Sequence, residues 1–191
     1  MSTVSVPKSS HSRLHREDWL LHALETLRRE GVTGLRVEPL ARQLGVTTGS
    51  FYWHFKDRQD LLDRVLEHWT DTMTRAVAKR MTSTAEPEEQ LESLLAEVTR
   101  EQRNRYEIAI RNWATFDACA GHAVRKVDEC RMAYVNGLFL QIGFSEEQAE
   151  IRSLMLINYQ VGEAGFSIKT SLERRLELAK LRLEILLADC S

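Results

Sequence analysis

The sequence predicts an all-α chain: an N-terminal three-helix domain containing a helix-turn-helix, followed by a larger C-terminal helical domain. Two observations carry this reading. Apolar residues recur at helical spacing along most of the 191 residues, and only three Pro and nine Gly interrupt them. The charged residues are dominated by Glu and Arg, which helices tolerate well, and no alternating strand pattern emerges.

Residues 1–16 read as a polar, flexible arm with Pro7 and a Ser cluster, residues 17–60 as the three-helix domain, and 61–191 as the larger domain. From Asp18, the residues Leu20, Ala23, Leu24 and Leu27 share one helical face until Gly31 stops the pattern. Val37, Leu40, Ala41 and Leu44 mark a second, shorter helix, with Pro39 in the first turn where a missing N–H costs little. Gly45 ends it. Thr47 or Thr48 offers an oxygen to cap a third helix, on which Phe51 and Phe55 share a face at i, i+4. A long amphipathic helix then spans 57–81 with Leu61, Leu62, Val65, Leu66, Trp69, Met73 and Val77. The polar step Thr82–Pro87 is the best candidate for a break between lobes. Further helices are expected over 87–104, 105–118, 120–142, 146–168 and 172–188, with Gly121, Gly143 and the step Lys169–Ser171 as turns. Glu86, Glu88 and Glu89 read as a solvated helix start favoured by the helix dipole.

The formal net charge of -2 does not by itself indicate a nucleic-acid partner, but its distribution leans that way. Residues 1–60 carry nine Lys and Arg against seven Asp and Glu, and the remainder 17 against 21. Four of the six His also lie in the first segment. No apolar run approaches the ~20 residues needed to span a bilayer, and the first residues lack the apolar core of a signal peptide. A cytoplasmic protein with no membrane partner is expected, its three cysteines reduced.

The segment LARQLGVTTGSFYWHF carries the chemistry. A helix that ends at a glycine, turns over a few residues and restarts presents its second helix to a DNA major groove. With Phe51 and Phe55 inward, Thr47, Thr48, Ser50, Tyr52, Trp53 and His54 remain around the N-terminus and outer side. Tyr, Trp and His there can donate hydrogen bonds to phosphates, and their rings can contact sugars or thymine methyls. Gly49 lets the helix N-terminus approach the duplex closely. Lys56 and Arg58 extend a cationic rim.

The stretch LARQLGVTTGSFYWHFKDRQDL, Leu40–Leu61, resembles the TetR family of bacterial repressors, with Gly45, Gly49, Tyr52, His54, Phe55 and Leu61 where the family pattern wants them. The resemblance implies groove contacts from Thr47, Thr48, Gly49 and Trp53, and phosphate contacts from Tyr52, His54, Lys56 and Arg58. Arg36 stands where many relatives have a Thr that caps the second helix and touches phosphate. Its guanidinium could take over the phosphate contact, leaving the cap unassigned. The segments RNWATFDA, VDECRMAY and AEIRSLMLINYQVGEAGF look similar to middle and penultimate helices of one branch of these proteins.

The resemblance further implies a twofold dimer through the last two helices, binding a double-stranded pseudo-palindromic operator and released from it by a small-molecule effector. The residues support the dimer separately. Gly162, Ala164 and Gly165 allow close backbone approach, and Leu176, Ala179, Leu183, Ile185 and Leu186 give the last helix surplus apolar surface. Trp69, Met73, Trp113, Phe116, Cys119, Met132, Phe139, Asn158, Tyr159 and Glu163 are candidates for an effector pocket, although such a stripe equally suits a core.

No metal or cofactor is expected. Cys119 and His122 are one helical turn apart, but Cys130 lies about 16 Å further along, too far to share an ion. No phosphate loop, nucleophile elbow or HExxH motif occurs, so an enzyme is not expected. The alternative is a helical protein-interaction module, distinguished by the absence of a DNA affinity that falls steeply with salt.

Overall fold

The computed structural model describes residues 14–101, 103–163 and 170–188. Among the described residues the chain is helical, without strands: α1 (Arg16–Glu30), α2 (Val37–Gln43), α3 (Thr48–Tyr52), α4 (Arg58–Met81), α5 (Pro87–Glu101), α6 (Glu107–Ala114), α7 (Ala118–Ile142), α8 (Glu146–Glu163) and α9 (Leu172–Leu187). Short 3₁₀ turns, Val32–Gly34 and Arg103–Tyr106, precede α2 and α6. The all-α expectation holds. The expected arm through residue 13, Ala164 and Gly165, and Lys169 of the Lys169–Ser171 turn lie outside the described residues.

Two apolar clusters organise the chain. The first joins α1, α2, α3, the first half of α4, α6 and the start of α7, around fully buried Trp19, Phe51 and Phe55. The Trp19 ring meets Phe51 edge-on at 5.5 Å and Phe55 at 6.5 Å, contacts worth roughly 0.5–1.5 kcal/mol each beyond the area they bury. The second cluster joins Val77 of α4 to Leu91 and Leu95 of α5, Phe139 of α7, Leu156 of α8 and Leu183 of α9. Because α4 enters both clusters, Thr82–Pro87 does not separate lobes: Val77 before it and Leu91 after it share one core.

Helix boundaries follow their caps. Asp57 accepts from the Asp60 amide at 2.9 Å and starts α4. Asp117 accepts from the Ala120 amide at 2.9 Å, which starts α7 at Ala118 and places Gly121 inside its first turn. Gly121 is therefore not the turn expected of it, and α6 ends at Ala114 rather than 118. Gly143 does make the expected turn, its φ of 112° lying in the left-handed region that favours glycine. At the far end Arg152 of α8 donates from Nε to the Leu186 carbonyl at 2.8 Å and from Nη2 to the Ala188 carbonyl at 2.9 Å, capping α9 with a buried cation. No helix is long and apolar enough to cross a membrane among the described residues.

Candidate nucleic-acid interface and ligand cavities

The turn between α2 and α3 is built by Gly45, at φ 70°, and by the Val46 amide donating to the Ala41 carbonyl at 2.9 Å. Thr47, in extended backbone, leads into α3, and its side chain makes no cap bond. Phe51 and Phe55 are buried as their spacing predicts, which turns the other side of α3 outward. There Tyr52 is 62% exposed and Trp53 82%, beside exposed Thr47, Thr48 and Gly49, half-buried Ser50 and His54, and exposed Lys56. A Cβ built on Gly49 would meet only Thr47 Oγ1, at 3.6 Å, so the fold itself leaves room for a side chain there.

Two of the expected phosphate ligands sit differently from the rest. Arg36 occupies the N-cap of α2 in extended backbone with no side-chain cap bond, leaving its exposed guanidinium available. Arg58 instead donates from Nε to the Leu35 carbonyl at 2.6 Å and from Nη2 to the Val32 carbonyl at 2.9 Å. These bonds fasten the first turn of α4 to the loop entering α2. The Lys56 amide donates to Asp60 Oδ2 at 3.0 Å, fixing the exit from α3.

Residues 20–65 match the family model of bacterial regulatory proteins, tetR family. The N-terminal domain belongs to the TetR family. Its sequence is similar to the Tetracycline repressor protein class C of Escherichia coli, 43% identical over 56 residues, 29% of this chain and 26% of that protein. It is also similar to the HTH-type transcriptional regulator AcrR of Shigella flexneri, 40% identical over 45 residues, 24% and 21% of the two chains. The match thus spans about a quarter of these relatives' length. Beyond the TetR-family domain the likeness is one of fold. A transcriptional regulator from Rhodococcus sp. Rha1 superposes with a TM-score of 0.71 at 18% identity, covering 91% of this chain and 94% of its own. A regulator of the TerR/AcrR family from Aquifex aeolicus VF5 does so at 0.67 and 20% identity, covering 90% and 98%.

The ten effector-pocket candidates do not line one cavity. Met73 contributes to a small, mostly apolar space of about 80 Å³ bounded by α4, α5, α7 and α8, together with Val77, Leu95, Tyr134 and Leu156. Trp113, Phe116, Tyr159 and Glu163 instead line an open cleft of about 1210 Å³ between the end of α1, α6 and the α8–α9 region. Trp69 and Phe139 are core, 1% and 0% exposed, because each points along its helix into one of the two apolar clusters. Cys119 and Asn158 are exposed and Met132 half-buried, and none of the three borders either cavity.

An ion network escaped the sequence reading. Fully buried Glu107 of α6 accepts from Arg131 of α7 at 3.0 and 3.1 Å and pairs with Arg111 at 2.8 Å. Arg111 is bidentate to Asp128 at 2.5 and 3.0 Å, and Arg131 Nη2 also lies 3.5 Å from Met73 Sδ. Two cations facing two carboxylates make the network formally neutral, and it ties α6 to α7 beside the small cavity. The i, i+4 pair Glu107–Arg111 was visible as spacing, but its burial was not.

Proposed function

We propose that the protein is a sequence-specific DNA-binding transcriptional repressor, acting in the cytoplasm as a homodimer and released from a pseudo-palindromic operator by a small-molecule effector. It has no catalytic role in this reading. The observation that carries it is the outer side of α3: Tyr52 and Trp53 stand in solvent beside Thr47, Thr48 and a glycine that the fold does not require. Exposing two large aromatics wastes apolar surface on an isolated protein, whereas against a duplex they donate to phosphates and pack on sugars and methyls. The repressor activity in the printed names of the relatives supports the same direction.

The dimer is supported by a stripe on α8. Ile151, Leu154, Met155 and Tyr159 are exposed at helical spacing, next to Leu181 and Ile185 of α9, which is 71% exposed. A Cβ on Gly162 would meet nothing within 4 Å, leaving that end of the stripe open to close approach. Other α9 residues named for this role, Ala179, Leu183 and Leu186, are spent inside the chain. Paired by a twofold axis, two α3 helices about 34 Å apart enter successive major grooves. Effector binding in the helical domain shifts that spacing, and a difference of ~1–3 kcal/mol in affinity between states is enough for partial release.

The test is fluorescence anisotropy of the purified protein on labelled duplex from the region upstream of its own gene, with random duplex as control and salt varied. Preferential binding with a steep salt slope is the expected result. Equal affinity for both duplexes at low salt overturns the reading in favour of a protein-interaction module.

A further inference from the structure

The large cleft borders the small cavity at Val98 and Gln160, and its walls come from both parts of the chain. Leu27 and Val32, from α1 and the loop after it, face Ile108 and Trp113 of α6. The remaining wall holds Thr99 of α5 and Arg175 of α9. These last two are chemically unfinished. Thr99 is 3% exposed, and its buried Oγ1 has no hydrogen-bond partner. Arg175 Nη2 donates to the Thr99 carbonyl at 3.1 Å, which holds the guanidinium against this residue, but its buried Nε has no partner. Among the described residues no carboxylate pairs with it. A buried guanidinium N–H beside a buried hydroxyl, both without acceptors, is costly unless an acceptor arrives.

The rest of the lining fits one kind of acceptor. Arg28 and Arg105 add positive charge, although Arg28 is already paired with Glu25. Glu163, the one carboxylate among the described lining residues, interacts electrostatically with Arg182. Phe116, 72% exposed, stands with Trp113 along the same side. We infer that this cleft is a ligand site for an amphipathic aromatic carboxylate: its two oxygens accept from Arg175 Nε and Thr99 Oγ1 while its ring lies along Leu27, Val32, Ile108 and Trp113. Such a ligand bridges the TetR-family domain and the helical domain. Only the consequence for DNA rests on the function proposed above; the binding itself does not.

Isothermal titration calorimetry on the full chain tests it, with 4-phenylbutyrate as probe and 4-phenylbutan-1-ol and 4-phenylbutylamine as uncharged and cationic counterparts. The carboxylate is expected to bind at least about tenfold more tightly than either, since the charge-assisted bond is the one the counterparts lack. Arg175→Met should remove that advantage and leave the alcohol's affinity unchanged. Arg175→Lys should restore part of it, and Thr99→Val, which keeps the shape, should weaken only the carboxylate. If Arg175→Met does not fold, as judged by its helical circular dichroism, Thr99→Val decides alone. No carboxylate binding, equal binding of all three probes, or carboxylate binding indifferent to Thr99→Val and Arg175→Met would each overturn the site. Operator anisotropy on the same samples keeps the two readings apart. DNA binding without carboxylate binding removes this site alone, and carboxylate binding without DNA binding removes the repressor alone.

Discussion

Arg58 and Leu35 are joined by a hydrogen bond of 2.6 Å that ties the first turn of α4 to the loop entering α2. With the second bond to Val32, at 2.9 Å, it makes the start of α4 and the helix-turn-helix one rigid piece. In the proposed release, a shift of α4 imposed from the helical domain would pass through these bonds to the helix-turn-helix. Arg58→Met is expected to lower stability by ~1–2 kcal/mol, the scale of charged hydrogen bonds discounted for exposure. It should also uncouple effector from operator binding. Urea denaturation reads the first effect, and anisotropy with and without effector reads the second; an unchanged effector response refutes the coupling role.

On the α3 surface the residues divide by what they can read. Tyr52→Ala and His54→Ala should weaken binding to operator and random duplex alike, because phosphate contacts carry no sequence information. Thr48→Ala should change base preference by ~1–3 kcal/mol at one position. Equal losses on both duplexes for Thr48→Ala would sink the groove assignment.

Glu107→Ala should destabilise the fold by about 3 kcal/mol or more, since it leaves the largely buried Arg131 without its carboxylate. Arg111 keeps Asp128 and suffers less. Thermal unfolding of Glu107→Ala against Glu107→Gln checks this, with the glutamine variant expected to lose less because it still accepts a hydrogen bond.

Ile185→Glu, on the exposed face of α9, should split the proposed dimer by placing charge in its interface while leaving each protomer folded. Sedimentation velocity should show a single monomeric species, and operator affinity should fall with it. A dimer that survives this change and Met155→Glu together uses another face.

The Asp60 carboxyl is held below its ordinary value of 3.8, first by the Lys56 amide bond and then by Arg64, against the opposing effect of its burial. A depressed folded-state value means that its stabilisation is complete above 3.8 and is lost as pH falls through the lower, folded value. The melting temperature of Asp60→Asn should therefore lie below that of the native chain near neutrality, and the gap should close in strong acid. A gap that is constant with pH would show that the carboxylate charge is not what matters.

Most of the helix-turn-helix fold was legible because periodicity and turn chemistry agree there. Phe51 and Phe55 at i, i+4 can be buried together only by turning Tyr52 and Trp53 outward, and Gly45 sits at a turn position with a positive φ. Trp19 at the centre of that core is not marked by the period, since Leu20, Ala23, Leu24 and Leu27 already complete a helical stripe without it. The helical domain was harder. Which of Trp69, Met73 and Trp113 borders a cavity depends on how far one helix is rotated against its neighbour, and a hydrophobic period does not encode that rotation. The pairing of Glu107 with Arg131 is hidden for a related reason. Polar residues at helical spacing look the same whether they face water or a cation 24 positions away.

Trp53 is 82% exposed, while Trp19, Trp69 and Trp113 are exposed by 0%, 1% and 3%. The protein's ultraviolet emission therefore divides into three shielded indoles and one relaxed by bulk water, and the wet one stands where the duplex is expected to land. Iodide should quench that single component and little else. A native optical label is thus already in place, and occupancy of the reading head can be followed in real time on unmodified material, without a dye on either molecule.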